Sequence, residues 1–407
     1  MKQLGLILFF FSSLGLYSFA QDLGIAGSNT SSYKKVLVLK AEERYDKARE
    51  VLDGLIASSP KKKEYYLDRA SCHEQLGDWD WAVRDYNAVL RFEPTYYEAL
   101  FSRAQAYFQN GDHAMAIRDL EKLLEAPRSE TKMVYFKMSE NGLGESYTSG
   151  VGTLSDSHAE ILNFMGKVRL DINDYDGAKD AFNKAIALQS KADYYVSRGL
   201  LFERMEMEKE AKVDYRKALI LQPNNKEALY NLATLAEYEG NTLDAIKMYD
   251  KIIENEYGFS EAYFNRGYSY FEAGLYKKAL TDFDSALALG YNDVDVYLNR
   301  GLTYQKLKNY EQALVDYGLA IEKSPKSEKA YAKRAGLYFA MKKYQKAAED
   351  YTTAIAYKPS EAKYFYNRGI SYYNERDYDN ACADLQWAIS LGFEQAKAVH
   401  TKICQSD

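Results

Sequence analysis

The sequence predicts an all-α solenoid, a stack of short helical pairs, and three observations support this fold class. A related stretch of sequence recurs many times along the 407 residues, usually at a spacing of 34. Each copy contains two amphipathic helical patterns joined by a tight turn, with apolar residues three and four positions apart. Prolines end the second helix in five copies: Pro60, Pro94, Pro223, Pro325 and Pro359. Because one helical pair could not bury its apolar face alone, we expect the copies to stack.

The copies are clearest in the second half of the chain. There they begin at Tyr263, Tyr297, Tyr331 and Phe365. Less regular copies begin at Tyr66, Leu100, Leu162, Tyr195 and Leu229, and a tenth, degenerate copy begins near Ser31. One step between neighbouring copies is 33 residues and another is 62, so that 28 residues beyond the usual 34 interrupt the array.

Fixed positions of the repeat carry small or aromatic residues. Positions are counted from three residues before the starts given above, so that Arg266 is seventh. The eighth residue is Ala70, Ala104, Gly166, Gly199, Ala233, Gly267, Gly301, Ala335 or Gly369. The twentieth is Ala48, Ala82, Ala116, Ala178, Ala211, Ala245, Ala279, Ala313, Ala347 or Ala381. The twenty-fourth is mostly aromatic: Tyr86, Phe182, Tyr215, Tyr249, Phe283, Tyr317 and Tyr351. Much of the excess of tyrosine, 38 residues, is therefore explained by packing.

This pattern resembles the tetratricopeptide repeat family over about residues 29–395. The resemblance implies a right-handed superhelical solenoid of about ten helix-turn-helix repeats, closed by a C-terminal capping helix. It also explains the small residues, because the two helices of a repeat approach closely at those positions. We therefore expect a signal peptide at residues 1–20, an N-terminal block of three repeats at 29–126 with the first degenerate, an insertion or linker at 127–157, a C-terminal block of seven repeats at 158–393, and a capping helix and tail at 394–407.

The insertion is the one long break in the pattern. It begins with a possible helix, SETKMVYFKMSE, and continues as NGLGESYTSGVGT, which is rich in glycine and serine. Such a segment could carry a binding function of its own or could separate two blocks of repeats, and we favour the spacer.

The N-terminus predicts export. A lysine precedes an apolar run, and Ser18, Phe19 and Ala20 provide a cleavage site before Gln21. The mature chain would then be periplasmic or secreted and would have no integral membrane segment. An uncleaved N-terminal anchor is the alternative.

The chain has three cysteines, Cys72, Cys382 and Cys404, which form no disulfide framework. We favour the interpretation that they are small buried hydrophobic residues. A disulfide between Cys382 and Cys404 is the alternative, which an oxidising compartment would permit.

Arginine and aspartate occur together in seven copies, sixteen positions apart. The pairs are Arg69 and Asp85, Arg103 and Asp119, Arg198 and Asp214, Arg266 and Asp282, Arg300 and Asp316, Arg334 and Asp350, and Arg368 and Asp384. The other three copies have Lys35 with Val51, Met165 with Ala181, and Leu232 with Met248. Because the two residues are present together or absent together, we predict a structural ion pair inside each repeat, joining its first helix to its second.

Several functional classes find no support in the sequence. With 59 acidic and 53 basic residues and no basic block, nothing indicates nucleic-acid binding. The four histidines are scattered, so no metal site or cofactor is predicted. No nucleophile motif is present, and repeats fill the chain, so an enzyme is not expected.

The resemblance implies that positions two, five, six, nine, twelve and thirteen of each repeat face a groove that holds peptides. In the last five repeats the sixth position has Asn231, Asn265, Asn299, Lys333 and Asn367. Aromatic candidates are Tyr230, Phe264, Tyr268, Phe271, Phe339, Tyr366 and Tyr373. The asparagines could bind a peptide backbone or simply follow the family pattern, and some aromatic side chains could be covered by neighbouring repeats.

Some family members hold a partner's C-terminal carboxylate with a five-residue clamp. Asn299, Lys329 and Lys333 match its last three members, whereas Phe264 and Tyr268 replace the lysine and asparagine that come first. The full clamp is therefore absent.

The sequence thus predicts a non-catalytic scaffold or adapter that binds a partner polypeptide in the groove. The alternative is a structural subunit of a cell-envelope complex, which would contact its partners through the convex face or through the insertion at 127–157.

Overall fold

The structure is a computed structural model that describes residues 29–126, 132–137, 148–255 and 258–404. The predicted signal peptide at 1–20, part of the insertion and the last three residues lie outside the described residues. The described residues fall into two compact units, which divide between Asp214 and Tyr215.

The unit that ends at Asp214 contains five helical pairs, the last of which continues past the division. Their bounds are α1 Asn29–Ala41, α2 Tyr45–Ser58, α3 Lys63–Gln75, α4 Trp79–Phe92, α5 Tyr97–Gln109, α6 His113–Glu125, α7 Leu154–Asp171, α8 Tyr175–Leu188, α9 Ala192–Arg204 and α10 Glu208–Leu221.

The unit that begins at Tyr215 contains five further pairs and a final helix. Their bounds are α11 Lys226–Tyr238, α12 Thr242–Asn255, α13 Ser260–Glu272, α14 Tyr276–Ala288, α15 Val294–Lys306, α16 Tyr310–Lys323, α17 Glu328–Ala340, α18 Tyr344–Tyr357, α19 Ala362–Asn374, α20 Tyr378–Ser390 and α21 Gln395–Cys404. The predicted array of ten helical pairs with a capping helix is confirmed.

The first helix of each pair ends in a left-handed residue at position fifteen of the repeat. In the repeat of Arg266 this residue is Gly274, with φ of 74°, and the amide of Leu275 then bonds the carbonyl of Tyr270. This arrangement closes the last turn of the helix and reverses the chain. The second helix can therefore begin immediately, at Tyr276.

Close helix contact explains the small residue at position eight. A Cβ added to Gly301 would lie 2.8 Å from the ring of Tyr317, the aromatic residue at position twenty-four of the same repeat. Tyr317 is fully buried, so that its ring could not move away to make room. The small residue and the large residue thus fill one space together.

The insertion corrects one expectation. Its predicted helix is wrong for residues 132–137, which form strand β1 (Lys132–Lys137), antiparallel to β2 (Thr148–Thr153). Lys132 pairs with Thr153 and Lys137 with Thr148. The segment KMVYFK has β-branched and aromatic residues and is too short to show a helical period, so strand propensity prevails. The all-α prediction therefore holds for the repeats but not for this hairpin.

The capping helix α21 covers the last repeat and is joined to it covalently. Ala396 is fully buried against Phe365, Leu385 and Ala388. Cys382 and Cys404 form a disulfide with a Cα–Cα distance of 5.8 Å. Our preferred interpretation of these two cysteines as free hydrophobic residues is therefore wrong, because the cap returns to α20 closely enough for a bond. Cys72 is free and buried, as expected.

Candidate partner-binding groove

The seven arginine–aspartate pairs have the same geometry in every repeat that contains them. Each guanidinium donates from Nε and Nη2 to the two carboxylate oxygens of the aspartate sixteen residues ahead, over 2.6 to 3.0 Å. The aspartates are at most 7% exposed. Since a buried charge requires a partner, these side chains hold the two helices of a repeat together and are not available for a ligand.

Six of these arginines make a third contact that the sequence did not suggest. Nη1 donates to position twenty-five of the preceding repeat, over 2.5 to 3.0 Å; the acceptors are Asp53, Asn87, Asn183, Asp250, Asp284 and Thr352. Each such arginine therefore also links neighbouring repeats. No single residue type marks the accepting position, which is why inspection of the copies missed it.

Arg334 differs from the other six because Gly318 occupies the accepting position of the preceding repeat. A side chain at Gly318 would enter open space. Replacing Gly318 with aspartate is expected to raise the free energy of unfolding by about 1 kcal/mol, from the added bond to Arg334 and the loss of a helical glycine. Urea denaturation would measure this gain. Gly318→Ala is the control. Because alanine is the better helix former by about 0.7 kcal/mol, a gain from aspartate that falls short of the alanine gain by that amount would mean that the bond to Arg334 contributes nothing.

The asparagines at position six lie half-buried, and two of them lie beside tyrosines of the preceding repeat. Asn265 donates its amide to the hydroxyl of Tyr230 over 2.8 Å. Asn367 lies near Tyr351 and lowers the pKa of its hydroxyl, although burial raises that pKa overall. These two amides therefore also stabilise the junction between repeats. Asn231 and Asn299 are likewise half-buried.

The aromatic candidates divide into covered and open side chains. At position five, Phe264 stacks on Tyr291 with ring centroids 4.9 Å apart, and Tyr366 contacts Phe393 at 5.0 Å. Tyr230 similarly packs against Phe259 and Tyr249, Phe271 against Tyr276, and Phe339 against Tyr344. Tyr268 and Tyr373 are open, with 39% and 41% of their surface exposed.

Three lysines lie near one another on the first helices α17 and α19. Burial and the positive charges of Lys329 and Lys363 lower the pKa of Lys333, although the negative charge of Asp295 acts against this. Lys329 and Lys363 are exposed and Lys333 is half-buried. Among the described residues, none of the three lies within ion-pair distance of a carboxylate, so this part of the groove is positively charged.

A cavity of about 440 Å³ opens among the first helices of the N-terminal repeats, α1, α3 and α5. Its walls include the aromatic residues Tyr33, Tyr45, Trp79 and Tyr86, the carboxylates of Glu64, Asp68, Glu74 and Glu98, and Lys40. Five of the lining residues occupy positions that the family resemblance assigns to the groove. They are Glu64 and Glu98 at position two, Asp68 and Ser102 at position six, and Glu74 at position twelve. Our sequence-based candidates all lay in the C-terminal repeats, so this cavity was missed.

The carboxylates of this cavity differ in their partners. Asp68 receives the Lys40 ammonium at 2.7 Å and the hydroxyl of Tyr33 at 2.5 Å. Glu74 accepts a hydrogen bond from the hydroxyl of Tyr86 at 2.8 Å. Burial raises the pKa of the Glu74 carboxyl to about 7, although Lys40 and Tyr86 act against this. Burial also raises the pKa of Glu98.

In the part of the chain that the structure describes, no group of three or more histidine, cysteine, aspartate or glutamate side chains could hold a metal ion. Within the same residues, every helix is too short or too polar to span a bilayer.

Comparisons with known proteins agree with the repeat pattern. Family models described as tetratricopeptide repeat match residues 33–95, 75–130, 159–191, 192–225, 230–290, 294–327 and 333–389. Together these matches cover more than half of the chain.

Two curated relatives and one solved structure are similar to parts of the chain. A TPR repeat-containing protein of Methanocaldococcus jannaschii is 25% identical over 229 residues, 56% of this chain and 37% of that protein. A human protein O-mannosyl-transferase is 28% identical over 130 residues, 32% of this chain and 15% of that protein. This chain therefore spans less than half the length of these curated relatives. The crystal structure of a tetratricopeptide repeat protein from Parabacteroides merdae is 23% identical, with a TM-score of 0.47, and covers 61% of this chain and 98% of that chain.

Proposed function

The chain belongs to the tetratricopeptide repeat family, and from this premise we propose that it is a non-catalytic scaffold that binds a partner polypeptide in the groove of its C-terminal repeats. The observation that carries this proposal is the group of Lys329, Lys333 and Lys363. Like charges held together destabilise the free protein, and the attraction between Asp295 and Lys333 offsets only part of this repulsion. A partner that supplies an acidic group would relieve this repulsion.

The surroundings of the lysines support a polypeptide as the partner. Asn299, at the sixth position two helices earlier, can both donate and accept a hydrogen bond, as an extended backbone requires. The exposed rings of Tyr268 and Tyr373 can cover apolar side chains. We propose that an acidic segment binds across α13, α15, α17 and α19.

We propose further that the protein is exported. The N-terminal sequence supports this, although it lies outside the described residues. The disulfide between Cys382 and Cys404 fits an oxidising compartment, where such bonds persist. A soluble, exported scaffold would meet its partner in the cell envelope or outside the cell.

Affinity purification tests the groove. Wild type and the triple variant Asn299→Ala, Lys329→Glu, Lys333→Glu would be used to capture partners from extract of the native cell envelope, with folding checked by circular dichroism. We expect the folded triple variant to capture at least about tenfold less of the partner than wild type does, because two attractive charges become repulsive. Lys277→Glu, an exposed lysine on the second helix α14, is the matched control and should retain the partner.

A partner that both proteins retain equally would exclude the groove. In that case the structural-subunit interpretation would replace the scaffold, and deletion of residues 127–157 would show whether the insertion makes the contact.

A further inference from the structure

We propose that the N-terminal cavity binds an arginine or lysine side chain of a partner polypeptide, as a second site distinct from the lysine-lined groove. The inference rests on the proposed function only in taking the ligand to be part of a polypeptide. The cavity volume, about 440 Å³, lies in the range of specific small-ligand sites.

The charge of the cavity is unbalanced in favour of a cation. Four carboxylates and one lysine line it, and that lysine, Lys40, is already bound to Asp68. The hydroxyl of Tyr33 also donates to Asp68. Lys40 and Lys63 also attract Glu74 and Glu98, but their ion pairs are with Asp68 and Glu93. The cavity therefore keeps an excess of negative charge.

Comparison with an equivalent position in the C-terminal repeats shows what Glu74 lacks. Glu237 also occupies position twelve, and it accepts hydrogen bonds from two hydroxyl groups, those of Tyr249 and Ser269. Tyr86 is the counterpart of Tyr249 and bonds to Glu74, but Ala106 takes the place of Ser269. Burying a carboxylate that accepts few hydrogen bonds costs folding free energy. A guanidinium or ammonium group would supply the missing hydrogen-bond donors.

The remaining walls suit the rest of such a side chain. The rings of Tyr33, Tyr45 and Trp79 offer apolar surface for a methylene stem and π faces for a cation. Among the described residues, no group of three or more histidine, cysteine, aspartate or glutamate side chains could hold a metal ion, so an organic cation fits better than a metal.

Binding should depend on pH in a defined direction. Burial raises the pKa of Glu74 to about 7, and the neighbouring groups that face it are Lys40, Asp68, Glu64, Glu98, Tyr33, Tyr45 and Tyr86. A cation binds the ionised carboxylate more strongly than the protonated one. Affinity should therefore be greatest above pH 7 and should fall below it, by at most about tenfold per pH unit for one proton.

Fluorescence anisotropy with two matched probes tests this site in the full chain. One probe is a fluorescein-labelled hexapeptide of glycine and serine with two arginines, and the other has citrulline in place of both arginines. Citrulline has nearly the same shape without the charge. At pH 8 we expect the arginine peptide to bind at least about tenfold more tightly than the citrulline peptide, and this preference to shrink at pH 6.

Variants locate the contact. Glu74→Gln should remove most of the preference for arginine and most of its pH dependence. Ala106→Ser offers Glu74 the kind of hydroxyl group that Glu237 receives from Ser269. This variant should bind the arginine peptide more weakly than wild type does. Glu50→Gln, an exposed glutamate on α2, should change nothing. The proposal is overturned if the arginine peptide fails to bind, if the two peptides bind equally, or if Glu74→Gln leaves the preference intact. None of these results bears on the Lys333 groove, which the capture experiment tests separately.

Discussion

Replacing Asp282 with methionine is expected to lower the free energy of unfolding by about 3–5 kcal/mol. Asp282 is only 3% exposed and accepts two hydrogen bonds from Arg266, at 2.7 and 2.8 Å. The variant leaves the guanidinium half-buried with Asp250 as its one remaining carboxylate, on the preceding repeat. Urea denaturation followed by circular dichroism would measure the loss.

The double variant Arg266→Leu, Asp282→Met separates charge from packing. It copies the repeat with Leu232 and Met248, where this chain itself has an apolar pair at the same two positions. Asp250 loses its ion pair with Arg266 in this variant, but its carboxylate is 40% exposed and can be solvated by water. No charge is therefore left buried without a partner, and we expect the double variant to lie within about 1.5 kcal/mol of wild type. If the single and double variants are equally unstable, the cost arises from the volume of methionine and the ion pair is not responsible.

The sequence predicted the repeats well because each copy repeats the same physical constraint. Gly301 and Tyr317 share one space, so the position of Gly301 must stay small, and it is glycine or alanine in nine of the ten copies. The presence of Arg266 with Asp282, and of Leu232 with Met248, reflects the same kind of dependence. Ten copies in one chain thus served as an internal comparison.

Features that occur once, or whose chemistry varies, could not be found in this way. The third hydrogen bond of the arginines is accepted by an aspartate, an asparagine or a threonine, so no single residue type reveals it. The hairpin of β1 and β2 has no second copy. The N-terminal cavity combines residues of several helices. Its distinguishing feature is an alanine, Ala106, at the position where Ser269 donates to Glu237, and the sequence alone does not reveal that hydrogen bond.

Replacing Glu74 with glutamine is expected to stabilise the protein by about 2 kcal/mol at pH 8 and to have little effect at pH 5. Burial raises the pKa of Glu74 from 4.5 to about 7. Each unit of such a shift corresponds to about 1.4 kcal/mol, and partial exposure of the side chain to the cavity reduces the total. Glutamine keeps an oxygen for the hydroxyl of Tyr86 but never ionises.

The direction follows from the raised pKa. Below pH 4.5 the carboxyl is protonated in both the folded and the unfolded chain, so Glu74 imposes no penalty. As the pH rises from 4.5 to 7, the unfolded chain releases the proton first, and stability falls; above 7 the penalty is constant. Urea denaturation at pH 5, 6, 7 and 8 would give the difference between Glu74→Gln and wild type, with Glu50→Gln as the control. A difference that stays the same across this range would show that Glu74 is not held in a costly state. A difference that grows with pH would mean that the cavity retains a carboxylate at the expense of stability, and the addition of the arginine peptide should then recover part of the loss in wild type but not in the variant.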